Sequence, residues 1–312
     1  MKRNLIFLSL TVIASIAGVF LPKVAGSLWW TPTVSMLVQL LFCFLSTADP
    51  ATPLPAKALR SLPTFLVIKM ILVPLVCWGV VRLVFPDYAL GALLVAGASI
   101  GVMAPFFAYL CGAEPFFVIG GVICSSLLMP VTIPSLSALV LSFDGRSVEG
   151  LVQACLGSAI FLALCMLVPF AASKILWTRF PAWAEGLMAR RFGITLVCVT
   201  TVNLVIFSRF SEPLLNNLSA MADAMLAGLM VTAMLIVMGL WAARKLPLPE
   251  ALSRLIGISC VNCALMLIVA AEFFSLPEML VCALYSLPLM SMGVPYEICR
   301  RWLTHREKLE TA

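Results

Sequence analysis

Few side chains in this sequence could do chemistry inside an apolar environment, and one of them stands apart. Residues 66–74 read LVIKMILVP, and Lys69 lies within an apolar run from Leu62 to Phe85. A charge held deep in a bilayer is costly and usually carries function. A lone buried ammonium can stand in for a bound cation by donating hydrogen bonds to backbone carbonyls. It can pair with an anionic solute. Because burial favours the neutral amine, it can also carry a proton. The competing reading is snorkelling: Lys69 is seven residues from Leu62, about 10 Å along a helix, and a lysine stem recovers part of that depth.

The other reactive types carry less. Asn262 is a polar amide between "ISCV" and "CALML", a setting in which it could simply bond two helices together. Cys260 and Cys263 have C-x-x-C spacing without a second pair of ligands, so no metal site is expected. Glu114, Glu272 and Asp223 fall near the ends of apolar segments and read as interfacial. "NNLS" at 216–219 fits a glycosylation pattern but abuts an apolar segment. The single histidine, His305, lies in the C-terminal tail. With no paired carboxylates in the apolar runs, no histidine cluster and no phosphate-binding loop, an enzyme is not expected, nor is a cofactor.

The elements that position these residues follow from composition. Hydrophobic residues make up 62% and charged residues 11% of the 312, against about 25% charged in soluble domains. The chain is therefore an all-α integral membrane protein. A helix needs about 20 apolar residues to cross the hydrocarbon core, and ten candidates can be marked: 4–21, 30–48, 62–85, 88–110, 116–142, 150–174, 192–208, 218–243, 252–271 and 278–299. The first lacks a clean cleavage site after it and reads as a retained span. The stretch 176–191, "LWTRFPAWAEGLMARR", is expected to lie along the interface as an amphipathic piece. The eleven cysteines read as small buried hydrophobes.

Basic residues orient the spans. With the N-terminus in the cytoplasm, inner segments hold fifteen Lys and Arg, and outer loops hold four: Lys23, Arg82, Arg146 and Arg209. The remaining one of the twenty is Lys69. The expected placement is a multi-pass protein of the cell (inner or plasma) membrane, with both termini and the tail 304–312 cytoplasmic. The net charge of +6 is explained by topology, so no nucleic-acid partner is expected. The expected partners are the lipid bilayer and a small-molecule substrate.

The halves echo each other. "WGVVRLVFPD" at 78–87 matches "WAARKLPLPE" at 241–250, each with Trp, seven residues, Pro and an acid. Small-residue segments follow, from Gly97 and from Gly257, and each ends in Ala-Glu. The next spans carry Pro130 and Pro134, and Pro288 and Pro295. Five spans per half is an odd number, so the second half must insert upside down. This predicts one transmembrane domain over 1–312, with inverted repeats at 1–143 and 149–303, an architecture whose sites lie near the midplane where broken helices meet. Gly97, Gly101 and Pro105 weaken the fourth span and make it a candidate for such a break.

The run "GASIGVMAPFFAYLCGAEPFFVIGGVICSSLLMPVTIPSL" resembles spans four and five of the bile acid:sodium symporter family. Tyr109–Leu110 match the Tyr-Leu that ends the family's fourth span. Ser125, Ser126, Pro130 and Pro134 match its hydroxyl pair and Pro-x-x-x-Pro, and Asn262 matches the Asn of its ninth span. The resemblance implies a panel of spans 1, 2, 6 and 7 and a core of spans 3–5 and 8–10, with spans 4 and 9 broken and crossing. It also implies transport of organic anions by alternating access with sodium. Ser99, Gly101, Ala104, Pro105, Phe106, Ser125, Ser126, Ser259 and Asn262 would stand at the crossover or touch substrate.

The departures bear on the ion. Gly257 and Val261 stand where the family has Glu and Gln, and Ala104–Pro105 where it has Ser-Asn. Lys69, five residues before Pro74, stands where it has Gln. Most oxygen ligands are thereby lost, and a cation at Lys69 would repel sodium. Arsenite extruders of this broad fold use a cysteine where this chain has Phe106. The expected function is sodium-independent secondary transport of a small organic anion or amphipathic solute, proton-linked or not, with Lys69 replacing the cation. The alternatives are a sodium-coupled symporter with an altered site and a non-transporting sensor or scaffold.

Overall fold

A computed structural model describes residues 2–48, 56–143, 149–209, 211 and 218–311. It is helical throughout. Among the described residues the β-type pairing is a single isolated antiparallel bridge, between Ile100 and Val261. Four described helices are long and apolar enough to cross a membrane: Arg60–Val84, Pro115–Phe143, Pro181–Ser208 and Ser219–Ala243. Leu276–Leu289 and Gly293–Arg306 form a further candidate, bent by 59°.

The helices form two packing groups that share a broad contact. In the first, α1 (Lys2–Phe20) packs on α10 (Pro181–Arg209), with the short α2 (Pro22–Gly26) beside them. Helix α3 (Thr31–Ala48) packs on α10 and on α9 (Glu149–Arg179). The second group begins with α4 (Ala56–Val67), a π-helical turn at Ile68–Leu72 and α5 (Val73–Val84). It continues through α6 (Ala89–Gly97), α7 (Ala104–Cys111) and α8 (Pro115–Phe143). Helices α11 (Leu218–Ala243), α12 (Leu248–Ser259), α13 (Cys263–Phe273), α14 (Leu276–Ser291) and α15 (Gly293–Thr311) complete it. There α11 packs on α12 and α14, and α6 on α5 and α14. The contact that joins the two groups is between α8 of the second and α9 of the first.

Local sequence explains the irregular points. Pro74 has no N–H for the carbonyl of Met70, and its ring would collide there. The turn before it widens, and Val73 N–H donates to Ile68 O five residues back. Such π-turns occur often at functional sites. Helix α6 stops at Gly97 because Ala98 turns to an extended conformation (φ −57°, ψ 148°). Pro105 does not kink a helix, as its place in the fourth span suggests. It sits in the first turn of α7, where a missing N–H costs nothing.

Two stretches differ from expectation. Residues 176–191 form no separate helix. They are the end of α9 and the start of α10, interrupted only at Phe180. Nothing before Pro181 breaks the helix, and the Trp177 indole N–H holds α9 down by donating to Leu45 O at 2.9 Å. The last span is bent near Met292, and its helix runs on to Thr311, so much of the expected tail is helical.

Candidate functional site: the crossing of two interrupted helices

The interruptions after α6 and α12 meet. Gly101 N–H donates to Cys260 O at 2.7 Å, and Asn262 N–H donates to Ser99 O at 2.7 Å. Two extended segments thus satisfy each other's backbone inside a buried interior, where an unpaired group is costly. Glycine is required at 101. A Cβ there would lie 2.7 Å from Val261 O and 3.0 Å from Val261 C, and those are backbone atoms with little room to give.

Helix α8 braces the first segment. Ile100 N–H donates to Ser125 Oγ at 2.9 Å, and Ser99 N–H to Met129 Sδ at 3.4 Å. Ser125 passes its own proton to Val122 O at 3.2 Å. The hydroxyls of Ser99 and Ser126 are buried without a partner among the described residues. Ala104 is buried beyond the crossing, and Pro105 is half-buried. The side chain of Phe106 lies outside the described residues, as do that of Glu272 and residues 216–217 of "NNLS".

Lys69 is fully buried. Its Nζ donates to Ala96 O at 2.6 Å and to Ala98 O at 3.0 Å. These carbonyls lie where α6 ends, and the last carbonyls of a helix lack intrahelical partners and carry partial negative charge. The widened turn at Ile68–Leu72 carries the lysine, and its side chain is buried over its whole length. The thiols of Cys77 and Cys260 lie within electrostatic reach of it.

At the second interruption the structure adds two tyrosines that the sequence did not single out. Tyr285 O–H donates to Ser259 O at 3.0 Å. Ser259 Oγ donates to Leu255 O at 2.6 Å and lies 3.0 Å from Tyr296 Oη. Both tyrosines are fully buried. The available signal was two of the chain's four tyrosines inside one proline-bearing apolar run. Asn262 caps α13, its Oδ1 accepting from Leu265 N–H at 3.3 Å. Gly257 is packed against Phe65, whose Cζ would lie 2.7 Å from a Cβ there.

Of the remaining candidates, Cys263 donates its thiol to Cys282 O at 3.3 Å, and no cluster of metal-binding side chains occurs among the described residues. Glu114 N–H donates to Ser253 Oγ at 2.8 Å, which ties α8's start to α12. Asp223 and His305 are exposed, away from the crossing.

Apolar helices of spanning length around a buried crossing of two interrupted helices define a multi-pass helical membrane protein. The chain belongs to the sodium bile acid symporter family: the family's profile matches residues 56–217, which is 162 of the 312 residues. The match takes in Lys69, the first interruption and Ser125–Ser126, whereas the second interruption lies beyond it. The family makes the protein a membrane solute transporter in contact with the lipid bilayer, of a kind commonly coupled to sodium. No curated protein matches the chain.

Proposed function

We propose that this protein is a sodium-independent secondary transporter of a small organic anion or amphipathic solute, working by alternating access, with Lys69 as a built-in cation. The observation that carries the reading is the pair of hydrogen bonds from the buried Lys69 Nζ to Ala96 O and Ala98 O. An ammonium there neutralises a helix end and satisfies two carbonyls, which is what a bound cation would do. Gly257 and Val261 offer no side-chain oxygen, and the packing of Phe65 against Gly257 leaves no space for an acid at that position. The two packing groups support a panel (α1, α3, α9, α10) that moves against a core containing the crossing. Ten spans in two inverted repeats are part of the same proposal. Two matched stacks support it, Arg82 over Trp78 at 4.9 Å and Arg244 over Trp241 at 4.7 Å. The inner-face termini, and the roles of Ser99, Gly101, Ala104, Pro105, Phe106, Ser125, Ser126, Ser259 and Asn262 at the crossover or substrate, belong to it too.

The test is counterflow in proteoliposomes, with labelled organic acids from short carboxylates to steroid conjugates, in sodium and in choline buffers. The expected result is equal flux in both, no flux in Lys69→Ala and an altered pH profile in Lys69→Gln. An absolute requirement for sodium would replace this reading with that of a sodium-coupled symporter. Neither binding nor counterflow would leave a sensor or scaffold.

A further inference from the structure

A cavity of about 50 Å³ opens beside the crossing, between α3 and α10 on one side and the two interrupted helices on the other. Four polar side chains line it: Gln39, Asn203, Asn262 and Ser286. Two of them are already engaged within their own helices, Asn203 Nδ2 to Val199 O at 2.8 Å and Ser286 Oγ to Ala283 O at 2.6 Å. The other two keep a free donor. Gln39 is 5% exposed and Asn262 is 4% exposed, and neither Gln39 Nε2 nor Asn262 Nδ2 has a hydrogen-bond partner among the described residues. Buried donors left unpaired are rare and ask for an explanation.

The surroundings say what would pair with them. Asn262 is the N-cap of the eleven-residue α13, so the positive end of that helix opens on the same space. Among the described residues no acidic and no basic side chain lines the cavity, and the other walls are mostly apolar, including Val102, Met103, Phe107, Val202 and Leu267. The volume is far below the roughly 300–1,000 Å³ of sites for drug-sized ligands.

We propose that Gln39 and Asn262 together read the carboxylate of a compact aliphatic acid, one amide from each packing group. The carboxylate oxygens accept from the two NH₂ groups, and a body of a few carbons fills the apolar part. Gln39 is then a specificity-determining residue. Because it belongs to α3 and Asn262 to the crossing, the ligand spans the boundary at which alternating access would occur. That consequence rests on the proposed transport function; the binding itself does not.

The test is isothermal titration of the purified full-length protein in lipid nanodiscs with acetate, propionate and isobutyrate, using propionamide and cholate as controls. Saturable binding of at least one short acid is expected, in preference to both controls. Gln39→Leu should weaken it about tenfold or more, as expected for losing a hydrogen bond to a charged group. Gln39→Glu keeps the shape but adds a like charge, so it should abolish binding at neutral pH, and it takes the place of Gln39→Leu should that variant not fold. Absence of binding by all three acids, equal affinity for propionamide, or wild-type affinity in both variants would overturn the proposal. The two readings fail separately. Gln39-dependent binding without counterflow would sink transport and leave this site standing, whereas counterflow with Gln39-independent binding would do the reverse.

Discussion

Helix α6 ends at Gly97 and helix α12 at Ser259, and each ends with carbonyls facing a buried interior. At the first end the donor is the ammonium of Lys69, reaching Ala96 O and Ala98 O. At the second the donor is a neutral phenol, Tyr285 on Ser259 O, with Tyr296 beside the Ser259 hydroxyl. The same backbone need is met once by charge and once without it. A helix C-terminus attracts a cation, so under the proposed function the charged end is where an ion's task has passed to the chain. The neutral end has no such history to explain, because the Tyr285 phenol satisfies Ser259 O and Phe65 closes on Gly257.

The widest break in this comparison comes from Lys69→Met, which keeps the length of the side chain and removes the donor. Two buried carbonyls are left unpaired, at about 1–3 kcal/mol each, and the attraction to the helix end, up to about 2 kcal/mol in partly buried settings, is lost as well. The expected loss is about 2–8 kcal/mol by these figures, measured by thermal or denaturant unfolding in detergent, together with loss of flux. Lys69→Gln puts back a neutral donor and the residue that the family resemblance places there. It should recover part of the stability without acquiring sodium dependence, because Gly257 and Val261 still supply no side-chain oxygen. Sodium-stimulated flux in Lys69→Gln would show that the charge alone had excluded the ion.

Gly101→Ala attacks the joint between the two ends. The added methyl meets Val261 O at 2.7 Å, and overpacking of this kind costs about 1–3 kcal/mol. Because the obstacle is backbone, the two segments must part, so flux should fall further than stability does. A variant with wild-type counterflow would mean that the bridge opens during the cycle without cost.

How far these features could be read from the sequence differs between the two ends. Lys69 stood out because every other Lys and Arg could be assigned to a loop, and charge inside an apolar run is a strong signal. The small residues at 97–101 and the amide at Asn262 marked the two interruptions for a related reason: bare backbone needs close approach or a polar cap. The widened turn at Ile68–Leu72 was not readable. Pro74 announces a lost hydrogen bond, but whether a helix kinks or widens depends on what packs around it. Tyr285 and Tyr296 were missed because a phenol in an apolar run more often marks the membrane interface. The interrupted helices are themselves too short to count as spans, at nine residues for α6 and eight for α7. Hydropathy saw each pair as one continuous run, whereas length and hydropathy together pick out only four unbent described helices as spanning.

Tyr285→Phe is the counterpart of the lysine change at the neutral end. It removes one donor from Ser259 O and alters no charge, so about 1–3 kcal/mol is expected, clearly less than for Lys69→Met in the same unfolding assay. Flux in sodium-free buffer should persist. Equal losses in the two variants would show that satisfying carbonyls, rather than carrying charge, is what distinguishes these residues.

The smallest effect is expected where the second half of each interrupted helix begins. Helix α7 starts with Ala104 and Pro105 and has no side-chain cap, whereas α13 is capped by Asn262. Removing a cap typically costs about 1 kcal/mol, and the long 3.3 Å bond to Leu265 N–H puts Asn262→Ala toward the lower end of that range. Asn262→Ser is the sharper variant. A serine still caps a helix well, so stability should be nearly unchanged, but the free NH₂ that faces the cavity is gone. If Asn262 serves only its helix, the serine variant should bind short carboxylates as the wild type does. If it also reads the ligand, binding should fall about tenfold or more while the unfolding curve stays in place, a separation that no purely structural role for this residue would produce.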